Sequence, residues 1–330
     1  MTGRMTYAEG IRDAFYYLLK TYPNVFAIGQ GLWSPWYVGS SMTDLDKEFG
    51  RERVIDCPVS ELGITGAAVG AALFGYRPIV VHPRIDFMLL ATDQIVNQAA
   101  KWRHMFGGQV SPSIVIRAII NRGGEQGAQH SQALHSWFAH IPGLRVVMPA
   151  TATDARDLLI SATLCNDPVL YIDDRWLYDW ADEASPIVEH DLVEQRPLIR
   201  RRGRDLTIAA AGFSVRLALR AADVLRGRGI LAEVVDVRVL NVLDPGPIIE
   251  SVRRTGRLLA IDGGWRTCGL AGELIASAAE ALPPTSWKSA PQRLSLPAAP
   301  APTSKPLEQA YYATAEQAAA AAEALMSQPM

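Results

Sequence analysis

Apolar positions in the first half of the chain come in short runs rich in Val and Ile, separated by longer stretches with helical spacing. The runs Val25–Gln30, Arg53–Pro58, Arg77–His82, Ser113–Ile120, Leu144–Pro149 and Pro168–Asp173 predict strands. Between them, Tyr7–Leu19, Glu61–Gly75, Thr92–Met105, His130–Ala139 and Ala152–Leu164 predict helices. Largely uncharged strands alternating with helices indicate a parallel sheet covered on both faces. The pattern then breaks. Ala181–Asp205 is charged and has neither period, so it reads as an interdomain crossing. After it, "LTIAAAG", "LAEVVDVR" and "RLLAIDGG" predict strands, with helices "SVRLALRAADVLRGRG", "GPIIESVRRTG" and "LAGELIASAAEAL" around them. Pro297–Pro306 is too proline-rich for regular structure, and alanine-rich Leu307–Met326 predicts a closing helix. The fold class is therefore α/β with two doubly wound domains, 1–185 and 204–330, joined by a linker at 186–203.

Composition narrows the function classes. The 330 residues are 49% hydrophobic and 20% charged, and 32 basic against 34 acidic residues leave a net charge of −2. No charge excess favours nucleic acid or an anionic membrane as a partner. The three cysteines, Cys57, Cys165 and Cys268, are far apart and form no C-x-x-C pair, which argues for a reduced compartment. The N-terminal stretch carries Glu9 and Asp13 within a helix pattern and no secretory apolar core. The longest uncharged apolar run, Leu62–Tyr76, is glycine-rich and too short to span about 30 Å of hydrocarbon. These features predict a soluble, cytoplasmic protein.

Several familiar motifs are missing. There is no G-x-x-x-x-G-K-[ST], no G-x-S-x-G, and the "GQG" at Gly29–Gly31 has no third glycine opening a helix. His130, His135 and His140 look like a metal cluster, but a spacing of five turns successive side chains by about 140° on a helix, so they share no face.

One residue stands out. Glu61 heads the predicted helix Glu61–Gly75, follows the natural N-cap Ser60, and is that helix's only charge. A helix apolar all round predicts burial. Position alone fits a carboxylate that merely complements the helix dipole, an effect of about 0.3–1 kcal/mol, as well as it fits function. Two considerations favour function: a buried acid is costly without a hydrogen-bond partner, and the carboxyl end of a strand is where open α/β sheets place ligands.

The segment "RVIDCPVSELGITGAAVGAALFGYRPIV" resembles the β subunit of the E1 component of thiamine-diphosphate-dependent 2-oxoacid dehydrogenases, the pyruvate, branched-chain and acetoin enzymes of the transketolase-like superfamily. The likeness continues through "MTYAEGIRDAF", "DFMLLATDQIVNQAAKWRHMFGGQ", "GAQHSQ", "HIPGLRVVMPATATDARDLL" and "NDPVLYI" in the family's order. "LTIAAAGFSVRLALRAADVL" and "VVDVRVLNVLDPGPI" resemble the transketolase C-terminal domain. The resemblance implies a pyrimidine-type cofactor domain followed by a transketolase C-terminal-type domain. It also implies that Glu61 hydrogen-bonds N1′ of the aminopyrimidine, stabilising the tautomer that exposes the 4′-imine as base. Phe87 matches the aromatic that packs on the pyrimidine, and Gln30 takes the place of a usual acid near the cofactor. His130 matches a histidine at the active-site mouth associated with proton transfer and with acyl delivery to a lipoyl arm. By residue type alone, Phe87 reads as core phenylalanine rather than as a cofactor contact, and the alternative for His130 is a helix-start histidine satisfied by backbone. The family also implies a potassium ion on backbone carbonyls, here those of Ile114, Ala162, Thr163, Cys165 and Asp167.

The diphosphate-binding segment of such enzymes, opening "GDG" and ending in paired asparagines, does not occur; "DGG" at Asp262–Gly264 is reversed and lies in the other domain. The chain is therefore expected to grip the pyrimidine end alone. An α subunit would supply the diphosphate site and Mg²⁺ in an α₂β₂ heterotetramer, with β–β association through the C-terminal domain and a lipoyl-domain acyltransferase or acyl carrier protein as acceptor. Departures from the family pattern, "GQGLWSPWYVG", "VVHPRIDF" and "RAIINRGGEQGAQHSQ", line the expected substrate entrance. Arg84 or Arg122 could meet an anionic group such as phosphate, or be a surface or interface arginine. The function expected is decarboxylation of a 2-oxo acid with acyl transfer to a carrier. The alternatives are transketolase-like two-carbon transfer from a ketose phosphate, and a non-catalytic scaffold for the α partner, the last opposed by retention of Glu61 and His130.

Overall fold

In a computed structural model, residues 3–327 are described, and the chain divides into two units. The first comprises the chain up to Arg122 together with Trp137–Gln195; the second comprises Gly123–Ser136 and the chain from Arg196 onward. The division at Gln195/Arg196 falls inside the stretch read as a linker. The inclusion of Gly123–Ser136 in the second unit has no counterpart in the sequence pattern.

The first unit is built on α1 (Tyr7–Thr21), β1 (Val25–Gly29), β2 (Val54–Asp56), α2 (Glu61–Leu73), β3 (Arg77–His82), β4 (Val115–Ile120), β5 (Arg145–Val147), α3 (Ala152–Leu164) and β6 (Val169–Asp174). Its strands are all parallel and lie in the order β2-β1-β3-β4-β6-β5. The chain steps from β1 out to β2, then returns across β1 to β3, so the direction of winding reverses between β1 and β3. Such a switch point is where open α/β sheets hold ligands, beyond the strands' carboxyl ends. α1 starts with a capping box, Thr6 and Glu9 each satisfying the other's backbone N–H. α1 and α3 cover one sheet face, and Gly10 makes their approach possible, since a Cβ there would lie 2.4 Å from the Ala152 carbonyl oxygen.

Beneath the sheet lies an ionic cluster that no pattern announced. Arg117 and Asp173, on neighbouring strands, are both fully buried and pair through Nη2 and Oδ2 at 2.9 Å. Tyr178 Oη donates to the same Oδ2 at 2.5 Å. Burial drives the Tyr178 phenol far above its ordinary range, so it remains a donor.

The second unit carries β7 (Leu198–Arg201), β8 (Leu206–Ala210), α4 (Phe213–Gly227), β9 (Ala232–Asp236), α5 (Gly246–Thr255), β10 (Leu258–Trp265), α6 (Leu270–Ala281), β11 (Gln292–Leu296) and α7 (Ala315–Ser327). Its sheet order is β11-β10-β8-β9-β7, parallel except for the edge strand β7. Among the described residues no helix is long and apolar enough to cross a membrane.

Four expectations are corrected. Ala181–Asp205 is not structureless: Ala181–Glu183 pairs antiparallel with Arg4–Thr6, and β7 closes the second sheet. The helix expected over Thr92–Met105 is interrupted after Asp93 by a π-helical stretch at Gln94–Ala99 and is α-helical again from Ala100. Only His135–Ala139 of the stretch His130–Ala139 is helical. The alanine-rich end is two helices, Lys305–Tyr311 and α7, because Thr314 caps a new start: Gln317 N–H donates to its hydroxyl while its own N–H donates to Gln317.

Candidate active site

Three strand ends build the site. Gln30 follows β1, Glu61 follows β2 by a four-residue turn, and Phe87 lies just beyond β3, in the short helix Ile85–Met88. These strands are neighbours, with Gly29 in register with both Asp56 and Val81. All three residues therefore emerge at the carboxyl edge, on both sides of the winding reversal. Gly29 has no room for a side chain: a Cβ would sit 2.4 Å from the Val81 carbonyl oxygen. The exit turn of β1 is fixed by Asp56, whose Oδ1 accepts the Gly31 N–H at 2.7 Å, and Gly31 takes the left-handed φ of +68°. Trp33 Nε1 donates to the Val54 carbonyl at 2.8 Å, pinning the following loop to β2.

Glu61 is only 4% exposed, and among the described residues none donates a hydrogen bond to its carboxylate. Ser60 stands at the N-cap position but its side chain makes no capping bond, so the N-terminal amides of α2 are not satisfied in the way expected of a serine cap. Gln30 is buried, and its Nε2 has no partner among the described residues. The Phe87 ring is 37% exposed, unusual for a large apolar side chain next to a buried core. A buried carboxylate acceptor, a buried amide donor and a partly exposed aromatic ring thus lie along one sheet edge. This is the donor set an aminopyrimidine can use: ring nitrogens and an amine to hydrogen-bond, and a flat ring to pack.

The apolar helix α2 is not buried all round. Glu61, Ile64, Thr65, Ala68, Val69 and Ala72 face the core, while Leu62 is 56% and Phe74 is 88% exposed. The same stripe holds Gly63 and Ala67, exposed, and Gly66 and Gly70, half-buried, and spans about 140° of the helix surface. One residue of the stretch "VVHPRIDF", expected to line the substrate entrance, is instead enclosed behind the site. His82, at the end of β3, is fully buried and meets Thr65, one turn after Glu61, at 3.2 Å between Nε2 and Oγ1. Burial lowers its pKa to about 4, so the ring is neutral at physiological pH. A histidine closing an apolar strand was the available signal.

The other candidate residues fall elsewhere. His130 lies in the Gly123–Ser136 segment of the second unit, half-buried, its N–H donating to the Gly127 carbonyl at 3.3 Å. Arg122 is buried and pairs with Asp174 at 2.8 Å through Nε, so its charge is neutralised within the protein. Of the five carbonyls expected around potassium, those of Thr163 and Cys165 each accept from Arg77 Nη1 at 2.9 Å, and that of Ile114 accepts the Val169 N–H at 2.9 Å. Arg77 Nη2 also donates to Asn166 Oδ1 at 2.8 Å. The guanidinium stands at the C-terminal end of α3, where the helix dipole favours a cation. Asp167 pairs through its side chain with Arg103 and Arg145.

Residues 3–179 match the pyrimidine-binding domain of transketolase, and residues 196–318 match the transketolase C-terminal domain. This chain belongs to the E1 β-subunit branch of the transketolase-like family. This E1 β chain is 42% identical over 281 residues to the acetoin:2,6-dichlorophenolindophenol oxidoreductase subunit beta of Cupriavidus necator, covering 83% of this chain and 81% of that one. The protein of the same description in Bacillus subtilis is 39% identical, over 86% of this chain and 83% of its own. The pyruvate dehydrogenase E1 component subunit beta of Rhizobium meliloti is 37% identical over 82% of this E1 β chain and 59% of its own length. A solved structure described as a split-gene transketolase, inactive beta4 tetramer, superposes with a TM-score of 0.77 at 22% identity, over 99% of this chain and 100% of that chain, a likeness of fold.

Proposed function

We propose that the chain is the β half of a heteromeric, thiamine-diphosphate-dependent 2-oxoacid dehydrogenase E1, and that Glu61 holds the aminopyrimidine end of the cofactor. The observation that carries this reading is the Glu61 carboxylate, buried at the winding reversal with no donor among the described residues, at the same sheet edge as the unpartnered Gln30 Nε2 and the Phe87 ring. When bound, the cofactor supplies a carbon nucleophile and electron sink for decarboxylation. The protein's part is to hold and tune it. The rigid head of α2 presents Glu61 as an acceptor for the protonated ring nitrogen, which favours the tautomer with a basic exocyclic nitrogen. Phe87 orients the ring, and Gln30 offers a second polar contact. His130 would manage a proton at the acceptor step.

The missing diphosphate segment and the exposed apolar stripe on α2 both favour a partner. An α subunit would carry the diphosphate and Mg²⁺ and cover α2, giving an α₂β₂ assembly with β–β contacts. A lipoyl-domain acyltransferase or an acyl carrier protein would take the acyl group. The carbonyls at the end of α3 do not fit a separate potassium ion, because Arg77 already brings a cation to two of them. Arg84 or Arg122 as a phosphate ligand would favour the ketose-phosphate alternative, and the Arg122–Asp174 pair weakens the case for Arg122. Turnover by the complex assembled with its α subunit, using dichlorophenolindophenol as electron acceptor, tests the reading. Dye reduction with 2-oxo acids and none with ketose phosphates is the expected result; the reverse preference would overturn it.

A further inference from the structure

The segment Gly123–Ser136 is held to the second unit at both ends. Near its start the Glu125 N–H donates to Glu308 Oε2 at 3.1 Å. At its close, Ser136 Oγ accepts the Leu270 N–H at 3.0 Å, from the first residue of α6. Next to it, His135 Nε2 meets Asp262 Oδ1 at 2.9 Å. This last contact is the most enclosed of the three: His135 is 1% and Asp262 4% exposed. Asp262, on β10, has its geometry fixed by two further donors, Gly264 N–H to Oδ1 at 2.8 Å and Ala271 N–H to Oδ2 at 3.2 Å. Burial works against its ionised form, but the His135 charge and these hydrogen bonds outweigh it, holding the carboxyl below its ordinary range. Gly264 leaves room for the ring; a Cβ there would lie 3.1 Å from His135 Cε1. His130 sits between the two anchors, and its amide N–H donates within the loop to the Gly127 carbonyl at 3.3 Å.

A buried histidine–carboxylate hydrogen bond adds only modest net stability but is a precise positional constraint, since each partner left unbonded in the interior pays its desolvation cost. The pair joins residues 127 apart in sequence, the bottom of a loop and the middle of a sheet strand. We propose that Asp262 and His135 form a positioning pair that sets the place of the His130 loop, and act on the reaction through His130 without touching substrate. This rests on the catalytic reading of His130 given above. The sequence signal that grouped His130, His135 and His140 thus separates into one residue for chemistry and one for placement.

The test is a double-mutant cycle on the enzyme assembled with its α subunit. His135→Leu is expected to lower kcat by about tenfold or more, the order that a misplacement of about an ångström costs, with KM for the 2-oxo acid little changed. His135→Gln, which keeps an N–H donor, should recover most of the rate. In the His130→Ala background the same His135→Leu change should have almost no further effect, because the residues act as one unit. Hydrogen exchange of Gly123–Ser136 should quicken in His135→Leu. If that variant fails to assemble, Asp262→Asn, which keeps shape and an acceptor, is put through the same cycle. Loss of rate in His130→Ala with full rate in His135→Leu and Asp262→Asn would overturn the proposal alone. Equal losses from His135→Leu in both backgrounds would also overturn it, showing a role independent of His130. Full rate in His130→Ala would overturn the reading of His130 and the proposal with it.

Discussion

Thr65 and His82 meet at 3.2 Å behind the candidate site, a hydroxyl on α2 against an imidazole closing β3. The ring is fully buried and titrates near pH 4, against about 6.5 for an exposed histidine. Between those values the unfolded chain binds a proton that the folded chain does not. Stability therefore rises with pH across the window; it is fully present above about pH 6.5 and lost as pH falls toward 4, by about 3 kcal/mol in total. Denaturant melts of the wild type at pH 7 and pH 5 should show this loss, and His82→Phe should flatten it. An unchanged slope in the variant would mean the acid sensitivity lies elsewhere.

Gly70 sits in the middle of the exposed stripe of α2, and a Cβ there would meet nothing within 4 Å. Gly70→Ala should stabilise the isolated chain by about 0.5–1 kcal/mol, because glycine weakens a helix interior by that amount. In the assembly the added methyl would stand where another backbone approaches. Size-exclusion chromatography with the α subunit should show weaker association despite the higher melting temperature. Unimpaired assembly would move the partner's contact off this helix.

The Arg117–Asp173 pair has the opposite profile. Both side chains are fully buried, so removing one leaves an uncompensated charge. Asp173→Ala should cost about 3–5 kcal/mol and Tyr178→Phe about 1–3 kcal/mol, measured by denaturant unfolding. A smaller loss for Asp173→Ala than for Tyr178→Phe would show that the hydroxyl, not the charge pair, holds the cluster.

Arg77 supplies the cation at the end of α3, so melting temperatures in potassium and sodium chloride at equal ionic strength should agree. Arg77→Met should lower stability by about 1–3 kcal/mol, since it strips donors from the Thr163 and Cys165 carbonyls. A potassium-specific rise in the wild type would put an ion beside Arg77.

What the sequence revealed follows from the range of the forces involved. Strand Arg77–His82 and helix Ala152–Leu164 were read to the residue because their patterns are local. Gln30, Glu61 and Phe87 were legible as a group only through the resemblance, because their common edge depends on strand order. The full burial predicted for α2 was wrong on one face, since an apolar pattern all round does not say which face packs on the core. Arg122 looked available to an anion because its partner, Asp174, ends β6, 52 residues further along the chain. Such separation also hid the His135–Asp262 contact and the attachment of Gly123–Ser136 to the second unit. The π-helical turn at Gln94–Ala99 has no counterpart in a 3.6-residue period.

The central claim is that Glu61 is buried for chemistry, not stability, and one substitution separates the two. With the chain assembled on its α subunit, Glu61→Ala should lose at least about a hundredfold in thiamine-diphosphate-dependent decarboxylation of its 2-oxo acid, the scale of a lost group in proton-transfer catalysis. Its melting temperature should hold or rise, because a buried acid with no donor among the described residues has been removed from the interior. Decarboxylation near the wild-type rate in that variant would contradict the account.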